Sequence, residues 1–201
     1  MTAVQLIGVA ASLSLLAGWR LYACVFAVGL AMHFGWLHPP QQVHALAVLA
    51  NPWVIGVAAL GAAAEFFADK VPWLDSLWDA IHTIVRPVGG ALLALAVVDP
   101  SNPTWQVVVL LLGGGAALLS HGAKAGTRAL VNASPEPVSN LLVSSTEDVV
   151  STGGLLLVLS HPSVAIAVAA VLLMAVVAAL IIGWRLLGGL RRMFRRPGQT
   201  E

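Results

Sequence analysis

Charge is what this chain has least of: Asp, Glu, Lys and Arg make up 9% of its 201 residues, while 59% are hydrophobic. Soluble domains carry about 25% charged residues. A water-facing globule of this length cannot hide so much apolar surface, which leaves the lipid bilayer as solvent and principal partner. Cysteine is almost missing too. The single Cys24 excludes an internal disulfide and a multi-cysteine metal cluster, and it reads as a small packing residue. No Lys or Arg occurs in the first nineteen positions, so the basic head of a cleavable signal peptide is lacking. Polar–apolar alternation, the mark of a membrane barrel, is lacking as well. No nucleic-acid partner is expected, and no cofactor is indicated.

Leu, Val and Ala, in contrast, fill long runs. Apolar stretches lie near 5–34, 44–68, 74–98, 105–122, 138–160 and 163–187, and a spanning helix needs roughly 20 residues. The expected fold is all-α, a polytopic transmembrane helix bundle of about six spans. The first stretch is too long for one simple span and the fourth is short, so broken or short segments belong to the expectation. Residues 1–188 form a single transmembrane domain, and 189–201 a basic tail.

Arg185, Arg191, Arg192, Arg195 and Arg196 are five of the ten basic residues and should hold that tail in the cytoplasm. Counting back through six spans puts Lys70, Lys124 and Arg128 in the inner connections, 69–74 and 123–137. The outer ones, 35–43, 99–104 and 161–162, contain no Lys or Arg. A multi-pass protein with both termini cytoplasmic satisfies the rule.

A weak repeat accompanies this pattern. Ala17-Gly18-Trp19-Arg20 matches Ala125-Gly126-Thr127-Arg128, and Leu49-Ala50-Asn51-Pro52 matches Leu159-Ser160-His161-Pro162 at nearly equal spacing. Duplication is common in transporter folds. The repeats would cover about 5–70 and 105–188, joined by the span 74–98, and chance similarity in an Ala/Leu-rich chain is the competing explanation.

The chemistry lies in ionisable groups within the apolar stretches. In hydrocarbon such groups cost from about 2.5 to over 10 kcal/mol each, so they face the bundle interior, pair, or line a polar path. Asp75, Asp79, His82 and Arg86 recur at helical spacing on one face of the third stretch. Asn140, Ser144, Glu147 and Ser151 repeat that geometry in the fifth, with Asp148 adjacent to Glu147. Two neighbouring buried carboxylates resist ionising together, so one of this pair is expected to hold a proton. His121, Lys124, Arg128 and Asn132 form a basic stripe if the fourth helix continues, up to the Pro135-Glu136-Pro137 turn. Arg20 adds a cation in the first stretch, and Gly18, Gly122 and Gly126 mark places for unwinding or close approach. Glu65 and Asp69 share a face at the end of the second stretch, where Asp69-Lys70 has a plainer reading as a solvated helix end. Before position 185 there are eight acids and five bases, an acidic excess that favours a cation or proton as ligand.

Two signatures among these residues resemble a known family. Glu65-Phe66-Phe67-Ala68-Asp69-Lys70 with Pro72, Asp75-Ser76, Trp78-Asp79, His82 and Arg86-Pro87 forms the first. His121-Gly122, Lys124-Ala125-Gly126-Thr127-Arg128, Ser134-Pro135-Glu136-Pro137, Ser139-Asn140 and Glu147-Asp148 form the second. Together they resemble bacterial membrane proteins catalogued as domain of unknown function 4126. The resemblance implies a compact multi-helix protein of the bacterial inner membrane and supplies no reaction. Glu65, Asp69 and Lys70 are also similar to the Glu-x-Gly-Asp-Lys-Thr motif of small cation exchangers, with one extra residue between the acids and neither the Gly nor the Thr.

Three functions remain open at this point. A small secondary transporter or channel for a cation or proton-coupled solute would use Glu65, Asp69, Asp75, Asp79, His82, Arg86, Lys124, Arg128, Asn140, Glu147 and Asp148. Its stripes should then meet at a cavity holding Glu147, Asp79 and His82. A structural or assembly protein would pair the same charges internally. A membrane enzyme on a lipid-linked substrate would use His82 with Asp79 as base and orienter, and Lys124 with Arg128 on a phosphate. The Gly113-Gly114-Gly115 patch suits internal packing or a homo-oligomer contact equally well.

Overall fold

The structure, a computed structural model, describes residues 1–37, 41–98, 103–132 and 137–194. Thr2 starts the first helix: its hydroxyl accepts from the Gln5 amide, and the Gln5 side chain accepts from the Thr2 amide. That helix, α1, runs Ala3–His33, and a 3-10 segment follows over Gln41–Ala50. Asn51 then caps α2 (Pro52–Ala68), with proline in the first turn where its missing N–H costs nothing. Next come α3 (Pro72–Val98), α4 (Pro103–Asn132) and α5 (Pro137–Ser160). A short 3-10 turn at Pro162–Val164 leads into α6 (Ala165–Phe194). No strand occurs among the described residues. The tail beyond Phe194 and the Pro135-Glu136 part of the expected turn lie outside them.

Inside and outside are reversed relative to a soluble protein. Leu60, Ile84, Leu111, Val149 and Met174 are exposed, while Arg20, Arg86, Arg128, Asp69 and Glu65 are buried. Such a surface belongs in lipid. Trp36, Trp53 and Trp105 stand exposed at one set of helix ends, and Trp73 and Trp184 at the other, as interfacial belts require. Five helices, α1 and α3 to α6, are long and apolar enough to cross a membrane, and the 17-residue α2 falls just short.

The first segment is a broken pair. Arg20 leaves helical geometry (φ −142°, ψ 70°), and the chain folds back there. Before the break Ser14 donates to the Gly90 carbonyl of α3 at 3.0 Å, and after it Leu21 packs beside Gly89. Leu13 and Val28 line one small void with Leu49 and Leu159, although in a straight helix they would stand about 22 Å apart. Both ends of α1 therefore share the face where α2, α4 and α6 begin. Arg20 sits at the tip of a re-entrant hairpin that packs against every other helix. Five helices, α2 to α6, surround it and place residue 2 and the end of α6 at opposite ends of the bundle. This arrangement differs from the expected one, in which both termini lie at one end of the bundle.

Two further expectations change. Lys124 and Arg128 are not connection residues: α4 continues unbroken to Asn132 because its polar groups find partners in the core. Gly122 and Gly126 mark neither a break nor a contact, with no atom within 4 Å of a Cβ built on either. Gly18 does allow close approach. A Cβ there would meet the Ala117 carbonyl, with Ser120 Cβ at 2.7 Å.

Gly18→Val should lower stability by about 1–3 kcal/mol through overpacking, read as an unfolding midpoint in detergent, whereas Gly122→Ala should not lower it. The fold-back has its own check. Cysteines placed singly at Thr2 and at Thr200, in protein whose Cys24 is buried, should react with an impermeant maleimide from opposite sides of the membrane. Labelling from one side would contradict the hairpin.

Candidate functional site

The three polar stripes converge because each is the face its helix turns toward the α1 hairpin. Asp75, Asp79, His82 and Arg86 of α3 are buried, as are His121, Lys124 and Arg128 of α4. So are Asn140, Ser144, Glu147 and Ser151 of α5, and Glu65 and Asp69 at the end of α2. Five carboxylates (Glu65, Asp69, Asp79, Glu147, Asp148) and four cations (Arg20, Arg86, Lys124, Arg128) meet in one ion-paired network, with Asp75 and Lys70 hydrogen-bonded at its edge.

Arg20 is its hub. The guanidinium pairs with Asp69, reaches Asp148 at 3.2 Å and Glu147 at 3.6 Å, and donates to the Ser144 hydroxyl at 3.0 Å. Arg86 pairs with Glu65 and, at 3.1 Å, with Asp79. Arg128 pairs with Asp69 at 3.1 Å and Glu147 at 3.4 Å, and donates to the Asn140 side chain. Asn140 in turn donates to the Asp69 carbonyl at 2.9 Å, tying α5 to the end of α2. The solvated reading of Asp69 thus fails, since it is wholly buried, while the half-buried Lys70 donates to Ser144 at 2.8 Å.

Lys124 is held differently. Its Nζ stands 3.5 Å from Glu65, 3.8 Å from both Asp69 and Asp79, and 4.0 Å from Glu147. None of these is a short charge-assisted bond, which measures about 2.7–2.9 Å. Its hydrogen bond goes to the Trp19 carbonyl at 3.3 Å, beside the α1 break. Ser120 serves the Leu15 carbonyl in the same way at 2.7 Å. Side chains of α4 thus satisfy carbonyls at the end of the first limb, and a cation there suits the helix dipole.

Asp75 and His82 lie at the margins. Asp75 accepts from Asn132 at 2.7 Å. His82 turns away from Asp79: its Nδ1–H donates to the Trp78 carbonyl at 2.7 Å, its Nε2 faces Tyr22 Oη at 3.2 Å, and its ring stacks on Trp78. The base–orienter pair an enzyme reading needs is not formed. His121, which the sequence placed on a stripe but gave no role, bridges α3 and α4. Its Nδ1 accepts from Arg86 at 2.6 Å and its Nε2–H donates to the Asp79 carbonyl at 3.1 Å, which assigns a neutral ring. Arg20 was likewise outside the expected set. It is the one Lys or Arg before position 70, and that isolation was the available signal.

A cleft of about 320 Å³ between α4, α5 and α6 reaches Lys124 and Glu147, walled by Trp19, Leu142, Val150 and Ala179. Asp79 and His82, expected in the same cavity, do not line it. A second cleft of about 540 Å³, beside Tyr22, Trp53 and Leu92, is apolar. Several buried atoms have no hydrogen-bond partner among the described residues, including Glu65 Oε2, Asp69 Oδ1 and Glu147 Oε2. No group of three or more His, Cys, Asp or Glu could hold a metal ion among those residues.

A lipid-facing exterior, a re-entrant hairpin and a buried ion-pair network define a polytopic helical membrane protein. The chain belongs to the family described as domain of unknown function (DUF4126), whose model matches residues 7–181. No curated protein and no solved structure matches it.

Arg20→Leu should cost about 3–5 kcal/mol, because it breaks the buried pair with Asp69 and leaves that carboxylate and Glu147 to share Arg128 and Lys124. Asp148→Asn should cost under about 1 kcal/mol, since that side chain is 35% exposed and has one cation in reach. Denaturant unfolding in detergent compares the two.

Proposed function

We propose that the protein is a small carrier that moves a cation across the bacterial inner membrane in exchange for, or together with, protons. The observation that carries this reading is the helix break at Arg20, placed where that guanidinium joins Asp69, Glu147 and Asp148. A broken helix ending among ionisable groups is how carriers build binding sites near the bilayer midplane. The orphaned carboxylate oxygens and the cleft reaching Glu147 support it further. Lys70 and Arg185 lie toward the end of the bundle where α2 and α6 finish. The positive-inside rule makes this end cytoplasmic, with residue 2 on the outer side.

One observation favours a structural role instead: Glu65, Asp69, Asp79, Glu147 and Asp148 each lie within reach of at least one cation. A network that only locks helices together keeps its function when a pair is exchanged.

Reconstituted vesicles under a proton gradient should show protein-dependent flux of protons or monovalent cations, reduced at least tenfold by Glu147→Gln. Flux insensitive to that change, with activity in cells retained when Arg86 and Asp79 are exchanged, supports the structural role.

A further inference from the structure

Four carboxylates surround one ammonium in this core, and the ammonium is loosely held. Every guanidinium in the network makes at least one contact of 3.1 Å or less to a carboxylate, whereas Lys124 Nζ lies no nearer than 3.5 Å to any. Of the oxygens facing Nζ, Asp69 Oδ1 accepts no hydrogen bond among the described residues, and Glu147 Oε2 accepts none either, having only the longer ion-pair contacts of Arg128 at 3.4 Å and Arg20 at 3.6 Å. Asp69 is wholly buried, and an unused buried acceptor is costly. The receptor therefore has more hydrogen-bonding capacity than its resident cation uses. Spacings of 3.5–4.0 Å are also wider than the 2.0–2.6 Å at which hard divalent metals are bound.

The cleft supplies the rest of a ligand site. It is lined by Glu147, whose side chain is 11% exposed, by Lys124, whose side chain is sealed, and by Trp19, Thr127, Thr146 and Val150, with a volume of about 320 Å³. α5 makes few contacts with α4 or α6, so the cleft lies along a weakly packed seam. The other cleft has no charged lining group.

We infer that the site is a receptor for an organic monocation, a primary ammonium on a small apolar body, for which Lys124 is the tethered stand-in. The ligand's ammonium takes the place of Nζ among Glu65, Asp69, Asp79 and Glu147, donating to the two unused oxygens. Its apolar body fills the cleft, and the flexible Lys124 side chain swings aside. This deepens the carrier reading and rests on it, since release of the ligand lets Lys124 refill the vacated position without leaving the carboxylates bare.

The test uses the full chain in detergent at low ionic strength with hexylammonium chloride as the probe, and hexanol and sodium chloride as controls. Hexylammonium should raise the unfolding midpoint and bind by titration calorimetry where neither control does. Val150→Trp, which fills the cleft without touching a charge, should weaken binding at least tenfold. Lys124→Met, which removes the competing ammonium but keeps the stem, should tighten it at least tenfold. Should Lys124→Met not fold, the wild type and Val150→Trp decide. Hexylammonium no better than hexanol, or binding indifferent to Val150→Trp, overturns the receptor. Glu147-dependent flux of inorganic cations without hexylammonium binding removes this ligand class alone. Binding without any such flux supports the receptor and removes the carrier reading alone.

Discussion

The cost of placing a charge in hydrocarbon organises this molecule. Each ionisable group that the sequence puts within an apolar helix has to find a partner inside the bundle, and Arg20 is where most of those requirements meet. Its guanidinium joins the end of α2 to α5 through Asp69, Ser144, Glu147 and Asp148. Arg86 joins α2 to α3, and Arg128 joins α4 to α2 and α5. The remaining packing follows from holding these partners together. Small residues, among them Gly18, Gly90 and Gly113, let the backbones approach closely enough for the charges to touch.

Helical periodicity made the faces legible. Asp75, Asp79, His82 and Arg86 fall on one stripe whatever they contact, and the buried set in α3 follows from that spacing alone. Partner choice was not legible in the same way. His82 shares the stripe of Asp79 yet turns toward Tyr22 and Trp78, because Tyr22 arrives from the second limb of α1 while Trp78 lies one turn back on α3 itself. Nothing local announces that limb. The break falls at an arginine, two residues past the nearest glycine, and it persists because its side chain is satisfied by residues more than a hundred positions away.

The helix ends show the same limit. Apolar composition stops near position 122, which suggested that α4 ends there and that Lys124 and Arg128 belong to a connection. The helix continues to Asn132 because its polar face meets the carboxylates of three other helices. Hydropathy measures how well a segment suits lipid, and these residues never meet lipid. Asp69 was ambiguous for that reason too: a helix end with adjacent acid and base reads equally as solvated or as anchored, and only the arrival of Arg20 and Arg128 decides it.

The order in which the chain is made runs against the order in which its charges can be satisfied. The hairpin is synthesised before α2 to α6, yet the partners of Arg20 lie at positions 69, 144, 147 and 148. A newly inserted α1 has no acid of its own to set against that arginine, since no Asp or Glu precedes Glu65. Until α5 arrives, its tip must stay at a hydrated interface, where a cation is tolerated. The hairpin thus leaves the ribosome before α5 and is fully seated only once α5 has arrived. Assembly proceeds by closing the later helices around it, so truncation anywhere before α5 leaves the hairpin unseated.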